Sequence, residues 1–223
     1  MHFLKIPDLL TSAEVAQLRA LAQRIRFVDG RSSSNPGSQV KNNLQPDPQD
    51  PAHLEAAELV KQAFFRNPLV RAYAYPKRVA TPMLTRYLPG MEYGLHVDSC
   101  LLATKPAIRA DVACTVFLND PGSYDGGELS TQLGDATVDV KLPPGHAVLY
   151  PSVTLHQVKP VTRGERLVAI AFLESNVRDH WDRQLLFELG QAIALDEGKL
   201  SWEARTRLNA VLQNLHRRWC ETA

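Results

Sequence analysis

Between Met83 and Leu173 the chain is cut into short apolar or alternating runs by closely spaced turn signals. The runs are Met83–Leu88, Leu95–Asp98, Val112–Leu118, Glu128–Thr131, Thr137–Leu142, Ala147–Tyr150, Gln157–Val161 and Arg166–Leu173. The breaks fall at Pro89-Gly90, Asn119-Asp-Pro-Gly122, Asp125-Gly126-Gly127, Pro143-Pro-Gly145 and Arg163-Gly164. Strand-length segments with this punctuation predict an all-β unit. About eight of them make a double-sheet jelly roll or a barrel.

The flanks have a different period. Thr11-Ser-Ala-Glu14 forms a capping box, and Val15, Leu18, Ala22 and Ile25 recur at helical spacing, so residues 12–26 are expected to be an amphipathic helix. Asp50-Pro51 starts a second helix with Leu54, Ala57, Val60 and Phe64 on its face, and Asn67-Pro68 ends it. After Val177 a stripe of Trp181, Leu185, Leu189 and Ile193 predicts another helix. Ser201 caps a last one carrying Leu208, Val211, Leu212, Leu215 and Trp219. The expected class is α+β. Residues 1–80 form a helical support region with a loop at 31–50, 81–175 form the β core, and 176–223 form C-terminal helices.

The charge balance, 25 basic against 24 acidic residues, gives no field for nucleic acid or for an anionic membrane. The longest clean apolar run, Leu167 to Leu173, is too short to span a bilayer, and the first residues lack a signal-peptide core. Three cysteines without a C-x-x-C spacing point to a reducing, cytoplasmic setting.

Within the β region one stretch carries chemistry: Tyr87-Leu-Pro-Gly-Met-Glu-Tyr-Gly-Leu-His96-Val-Asp98. On an extended strand positions i and i+2 point the same way, so His96 and Asp98 can share a metal. His156 is the best third ligand. Strands distant in sequence meet in a jelly roll, and Arg166 follows one turn and one strand later. Two histidines, a carboxylate and open positions describe the facial triad of non-haem Fe(II) oxygenases. Arg166 supplies the planar cation that the far carboxylate of an α-keto-diacid requires. His146 is the rival ligand, though a solvent-exposed turn histidine accounts for it more simply. Cys100 would select a softer metal. His2, His53, His180 and His216 lie in the helical flanks and read as surface or packing residues.

The 31–50 segment is rich in Gly, Ser, Asn, Pro and Gln. A loop that long inside a domain is functional or disordered. As a lid over the metal site it would exclude water, with Asn43 or Gln45 of Lys41-Asn-Asn-Leu-Gln45 touching substrate. The bland alternative is a mobile surface excursion.

Taken together, Tyr-x-x-Gly-x-x-Tyr-x-x-His-x-Asp, Asp125-Gly-Gly-Glu-Leu129, Pro-x-Gly at 143–145 and His156 followed by Arg166 resemble the prolyl 4-hydroxylase-like Fe(II)/2-oxoglutarate dioxygenases. Within them the chain is similar to the bacterial PKHD-type hydroxylases. Val-Lys-Asn-Asn-Leu-Gln at 40–45, Leu-Tyr-Pro-Ser at 149–152 and Pro-Val-Thr-Arg-Gly at 160–164 extend the likeness along nearly the whole chain. The resemblance implies a double-stranded β-helix (jelly-roll) core with flanking helices. It implies Fe(II) on His96, Asp98 and His156, and 2-oxoglutarate held by Arg166 with a hydrogen bond from Tyr87. It also implies ascorbate as an accessory reductant and a link to iron uptake. Two departures, Ser99-Cys-Leu-Leu102 after Asp98 and Ala-Ile-Ala-Phe-Leu at 169–173, lie on the expected substrate side.

The expected activity is hydroxylation of a peptidyl residue or small molecule, with release of succinate and CO2. The competing reading is a non-catalytic jelly roll that binds metal or senses 2-oxoglutarate. The apolar face of the last helix packs on the core or on a second copy, making a homodimer.

Overall fold

The two apolar runs Val112–Phe117 (β10) and Arg166–Ser175 (β17) become the central pair of the molecule. They run antiparallel, with Val112 opposite Leu173 and Phe117 opposite Val168. The computed structural model of the chain describes residues 3–33 and 40–221, the side chains of 32 and 33 excepted. Around this pair the major sheet runs β1 (Leu4–Ile6), β14 (Ala147–Pro151), β10, β17, β6 (Met83–Tyr87), β4 (Leu44–Pro46) and β2 (Phe27–Asp29). β5 (Pro76–Val79) joins the far end of β17. The minor sheet runs β13 (Ala136–Val140), β12 (Leu129–Leu133), β15 (His156–Val158), β7 (Glu92–His96) and β3 (Lys41–Asn42). Two ribbons complete the β structure: β8 (Leu101–Leu102) with β9 (Ile108–Arg109), and β11 (Asp125–Gly126) with β16 (Val161–Arg163).

The strand period of two sorts side chains between two cores. Cys114, Val116, Ala169 and Ala171 face one way and pack with Leu18 of α1 (Ser12–Arg24), Val60 and Phe64 of α2 (Pro51–Arg66) and Val70 of α3 (Pro68–Ala74). Ala113, Phe117, Val148, Tyr150 and Val168 face the other way and pack against Leu129 and Val140 of the minor sheet. The result is the expected α+β jelly roll, two antiparallel sheets with helices outside. β10 is buried at every position because both its faces are covered.

Several expectations are corrected. α2 ends at Asn67-Pro68 as expected, but a short further helix follows directly. Asn67 ends α2 and then caps α3, accepting from the Leu69 and Val70 N–H groups. Proline at the first helical position tolerates this, since its missing N–H would have no partner there. On α4 (His180–Ala194) the predicted stripe is not the buried one. Trp181 and Leu185 are 53% and 55% exposed, and Arg183, Leu186 and Phe187 face inward. The cause is Arg183, whose guanidinium donates to the carbonyls of Val177, Arg178 and Asp111 and so fixes the rotation of the helix. α5 (Trp202–Trp219) begins at its Ser201 cap and buries none of its residues.

The 31–50 loop is corrected in part. Gly30–Ser33 is a 3-10 turn, and Lys41–Asn42 and Leu44–Pro46 are strands. The chain there crosses from the minor sheet, where β3 pairs with β7, to the major sheet, where β4 pairs with β2 and β6. Its polar composition hid the strand period because the inward side chains are themselves polar. The start of the expected lid falls on residues 34–39, outside the described residues.

Candidate active site

The β7–β15 ladder sets His96 directly opposite His156. The two rings lie 4.2 Å apart between centroids, tilted by 53°. Each ring is oriented by a carbonyl two residues back in sequence. His96 Nδ1 lies 2.7 Å from Gly94 O, and His156 Nδ1 lies 2.9 Å from Thr154 O. A carbonyl can only accept, so both protons sit on Nδ1 and both Nε2 lone pairs are left for a cation. Tyr93 stacks on His96 at 3.6 Å, and Tyr150 meets His156 edge-on.

Asp98 is corrected in one respect. β7 stops at His96, opposite the first residue of its antiparallel partner β15, so Asp98 follows in irregular backbone rather than on the strand. Its side chain still turns inward. Oδ1 lies 3.7 Å from His156 Nε2, and Oδ2 is buried without a partner. One ligand atom from each of His96, Asp98 and His156 lies within 4.8 Å of the other two. Two bare imidazole nitrogens and an unsatisfied carboxylate oxygen facing one another are unfavourable alone and fit a divalent ion bound by N and O ligands.

Burial dominates the titration of His96 and Asp98. It holds the His96 imidazole down to about 4, helped by the neighbouring His156, and pushes the Asp98 carboxyl up to about 6 against the pull of His156 and Lys41.

Arg166, the first residue of β17, stands opposite Tyr87 of β6. It is 1% exposed, its guanidinium lies over the rings of Tyr87 and Phe117, and its Nε and Nη1 have no hydrogen-bond partner. A buried guanidinium with two idle donors is poised for an anion. Tyr87 is fully buried and its hydroxyl accepts from Asn43 Nδ2 at 2.9 Å, leaving its own proton to donate. Burial raises its pKa, partly offset by Arg166 and Asn43, so it stays a neutral donor.

The Asp125-Gly126-Gly127 motif shapes this end of the cavity. Gly126 and Gly127 have φ of 71° and 66°, which disfavours any side chain. A Cβ on Gly126 would fall 2.0 Å from Pro160 O, and one on Gly127 would fall 2.9 Å from Arg166 Cδ.

His96, Asp98, His156, Tyr87 and Arg166 open into one cavity of about 400 Å3 between the sheets, lined also by Lys41, Asn43 and Gln45. That size falls in the roughly 300–1,000 Å3 range of small-molecule sites. Asn43 and Gln45 thus reach the cavity, with Asn43 also supporting Tyr87. Lys41, only 5% exposed, was missed in the sequence. The available signal was the spacing 41, 43, 45, which on strands sends all three side chains to one face. His146 sits away from the cavity, 3.7 Å from Asp8, and Cys100 is exposed and outside it. His53 is buried within α2. His180 begins α4, His216 packs against Tyr75, and His2 lies outside the described residues.

Two outcomes follow from this geometry. Metal binding needs Asp98 ionised and the imidazoles neutral. Co(II) affinity, measured by chelator competition across pH, is therefore flat above about pH 7. It falls about tenfold per unit once pH drops below the Asp98 value of about 6. Affinity still climbing well above neutrality would contradict the assignment. Gly127→Ala forces the Arg166 stem to move, so 2-oxoglutarate binding weakens while Co(II) binding holds. Equal loss of both would mean a general packing defect.

Residues 82–174 match the family model described as the 2OG-Fe(II) oxygenase superfamily. A PKHD-type hydroxylase of Sphingopyxis alaskensis is 46% identical over 217 residues, covering 96% of this chain and 98% of that protein. Among solved structures, a Pseudomonas putida prolyl-4-hydroxylase has a TM-score of 0.52 at 22% identity, covering 78% of this chain and 92% of that one. A Trichoplax adhaerens prolyl hydroxylase in complex with a hypoxia inducible factor peptide fragment has a TM-score of 0.56 at 18% identity, covering 82% of this chain and 86% of that one. With the likeness to the curated relative running from end to end, the chain belongs to the PKHD-type hydroxylases, a family of 2-oxoglutarate- and Fe(II)-dependent dioxygenases.

Proposed function

We propose that His96, Asp98 and His156 hold the Fe(II) of this dioxygenase. Arg166 and Tyr87 hold the distal carboxylate of its 2-oxoglutarate. Bound together, iron and 2-oxoglutarate supply the oxidising chemistry with O2, and the by-products are succinate and CO2.

The protein's own residues do the rest. Gly94 and Thr154 carbonyls fix which nitrogens face the metal. Tyr93 and Tyr150 hold the two imidazoles by ring contact and help keep bulk water away. Arg166 presents its donors to the diacid in a fork, and Asn43 keeps the Tyr87 hydroxyl aimed beside it.

The observation that carries the reading is Arg166 itself, a buried cation with two unpartnered donors in the cavity that contains the triad. Metal storage needs no such carboxylate anchor, which speaks against a non-catalytic metal binder. The cavity suits a substrate that is a small molecule or a peptidyl residue, and the Trichoplax complex is an example of this fold with a peptide. Three free cysteines support a reducing, cytoplasmic setting. Among the described residues no helix is long and apolar enough to cross a membrane.

Replacing Arg166 tests the assignment. Arg166→Met keeps much of the volume and removes the charge. A hydrogen-bonded pair with a charged group is worth about 1.5–3 kcal/mol. The affinity for 2-oxoglutarate therefore falls roughly ten- to a hundredfold, with Co(II) affinity unchanged. Tyr87→Phe loses less, about 0.5–1.5 kcal/mol. Unaltered 2-oxoglutarate affinity in Arg166→Met, measured by calorimetry on the cobalt-loaded protein, would refute the anchor.

A further inference from the structure

The wall of the active-site cavity on the major sheet changes character along its length. β6 and β17 pair Tyr87 with Arg166 at one end and Met83 with Ile170 four residues further on. Strand residues two apart share a face, so this ladder, continued by Phe172, forms one wall of the cavity. Tyr87 and Arg166 are fully buried, whereas Met83, Ile170 and Phe172 are half-buried. At roughly 3.3 Å per residue, Ile170 lies about 13 Å along the strand from Arg166. The wall therefore runs from a closed polar end to an open apolar one.

A second stretch of chain brings apolar side chains to the same cavity. Val97, between His96 and Asp98, is 52% exposed, and Leu102 of β8 is half-buried; both line the cavity. The two segments that the sequence placed on the substrate side, 99–102 and 169–173, thus both reach it. The charged groups are accounted for elsewhere. Arg166 is at the closed end, Asp98 faces His156, and Lys41 stands opposite Tyr93, whose ring stacks on His96. Apolar side chains left partly in water around a cavity gain when another apolar group covers them. A charged group seated among them would give up water to side chains that offer it no hydrogen bond.

We infer that the substrate enters with an uncharged apolar group, seated between Met83, Ile170 and Phe172 on one side and Val97 and Leu102 on the other, and that Leu102 and Phe172 set the preference for it. This inference rests on the site assignment given under Proposed function. It narrows the substrate to one whose reacting end is an aliphatic or aromatic carbon skeleton, carried by a small molecule or by a peptidyl residue. A polar group of the same shape is a poor ligand because it is desolvated there without a partner.

Two uncharged probes of nearly equal shape test this without the natural substrate. The protein is loaded with Co(II) and saturated with 2-oxoglutarate, and formation of that complex is checked first by its visible absorption. It is then titrated with N-acetyl-leucine methylamide and with N-acetyl-asparagine methylamide, each followed by the shift and broadening that cobalt imposes on its proton resonances. The leucine probe is expected to bind roughly ten- to a hundredfold more tightly, the range for burying a branched aliphatic side chain. In Leu102→Asn and in Phe172→Asn that preference shrinks by about fourfold or more, the value of one buried methylene. A third probe, 4-methylpentanamide, carries the same isobutyl group without the peptide backbone. Binding as tight as the leucine probe assigns the preference to the apolar group alone, and weaker binding adds the backbone of a peptidyl residue; both uphold the inference.

The other outcomes separate the failures. If no cobalt–2-oxoglutarate complex forms, the site assignment fails and this inference falls with it. If the complex forms and the parent does not prefer the leucine probe over the asparagine probe, only the inference is overturned. It is also overturned if both variants keep the parent's full preference, since the apolar group then sits elsewhere. The parent titration is decisive even if a variant does not fold.

Discussion

The pairing of β7 with β15 is the constraint on which the site depends. It sets His96 against His156 although a long stretch of chain, carrying β8 to β14, separates them. Because side chains alternate along a strand, a slip of one residue in this register would send one imidazole to the outer face. The register is held from both sides. β15 is paired on its other edge to β12, and β7 to β3. The two candidate histidine ligands thus sit on the interior strands of the minor sheet, where neighbours over-determine their positions. Asp98, just past the end of β7, is the one ligand candidate set by irregular chain.

The major sheet supplies the complementary half. β17 begins with a charged residue and continues as an apolar strand. Its odd positions, starting at Leu167, face the helices, and its even positions, starting at Arg166, face the cavity. Arg166 is buried by that register, not by local hydrophobicity, and Gly127, with its positive φ, leaves the space its stem occupies. A guanidinium in that position has given up water without gaining a protein acceptor for two of its donors. Under the proposed function a bound dicarboxylate removes that deficit. Binding specificity is therefore built in by leaving polar groups unsatisfied in a dry place. The same logic applies to Asp98 Oδ2 among the histidines.

The sequence disclosed the β core because Gly, Pro and Asn-Asp punctuation is local chemistry, and the apolar runs between the breaks are long enough to show their period. It pointed to His96, Asp98, His156 and Arg166 as candidates because their order along the strand series makes sense only if distant strands meet, and the four do line one cavity. Residues 41–46 were read as loop since a strand whose inward face is Lys41, Asn43 and Gln45 has no apolar alternation to detect. The stripe on α4 was misplaced for a related reason. Arg183 anchors that helix through three backbone carbonyls, and hydropathy counts an arginine as a surface residue. Asn67-Pro68 marks the end of α2 in the sequence but gives no sign of α3, which the same asparagine caps. In each case a polar side chain was doing what pattern reading assigns to apolar ones.

Which side chains ligate the metal is tested directly by one titration. Fe(II) added without oxygen to the 2-oxoglutarate complex gives a visible metal-to-ligand absorption band only when the diacid chelates iron on the protein. The parent and His146→Ala are predicted to show the same band at the same iron stoichiometry, and His156→Ala is predicted to lose it. A His156→Ala protein that retains the band, with His146→Ala losing it, would contradict the assignment of the triad and of everything built around it.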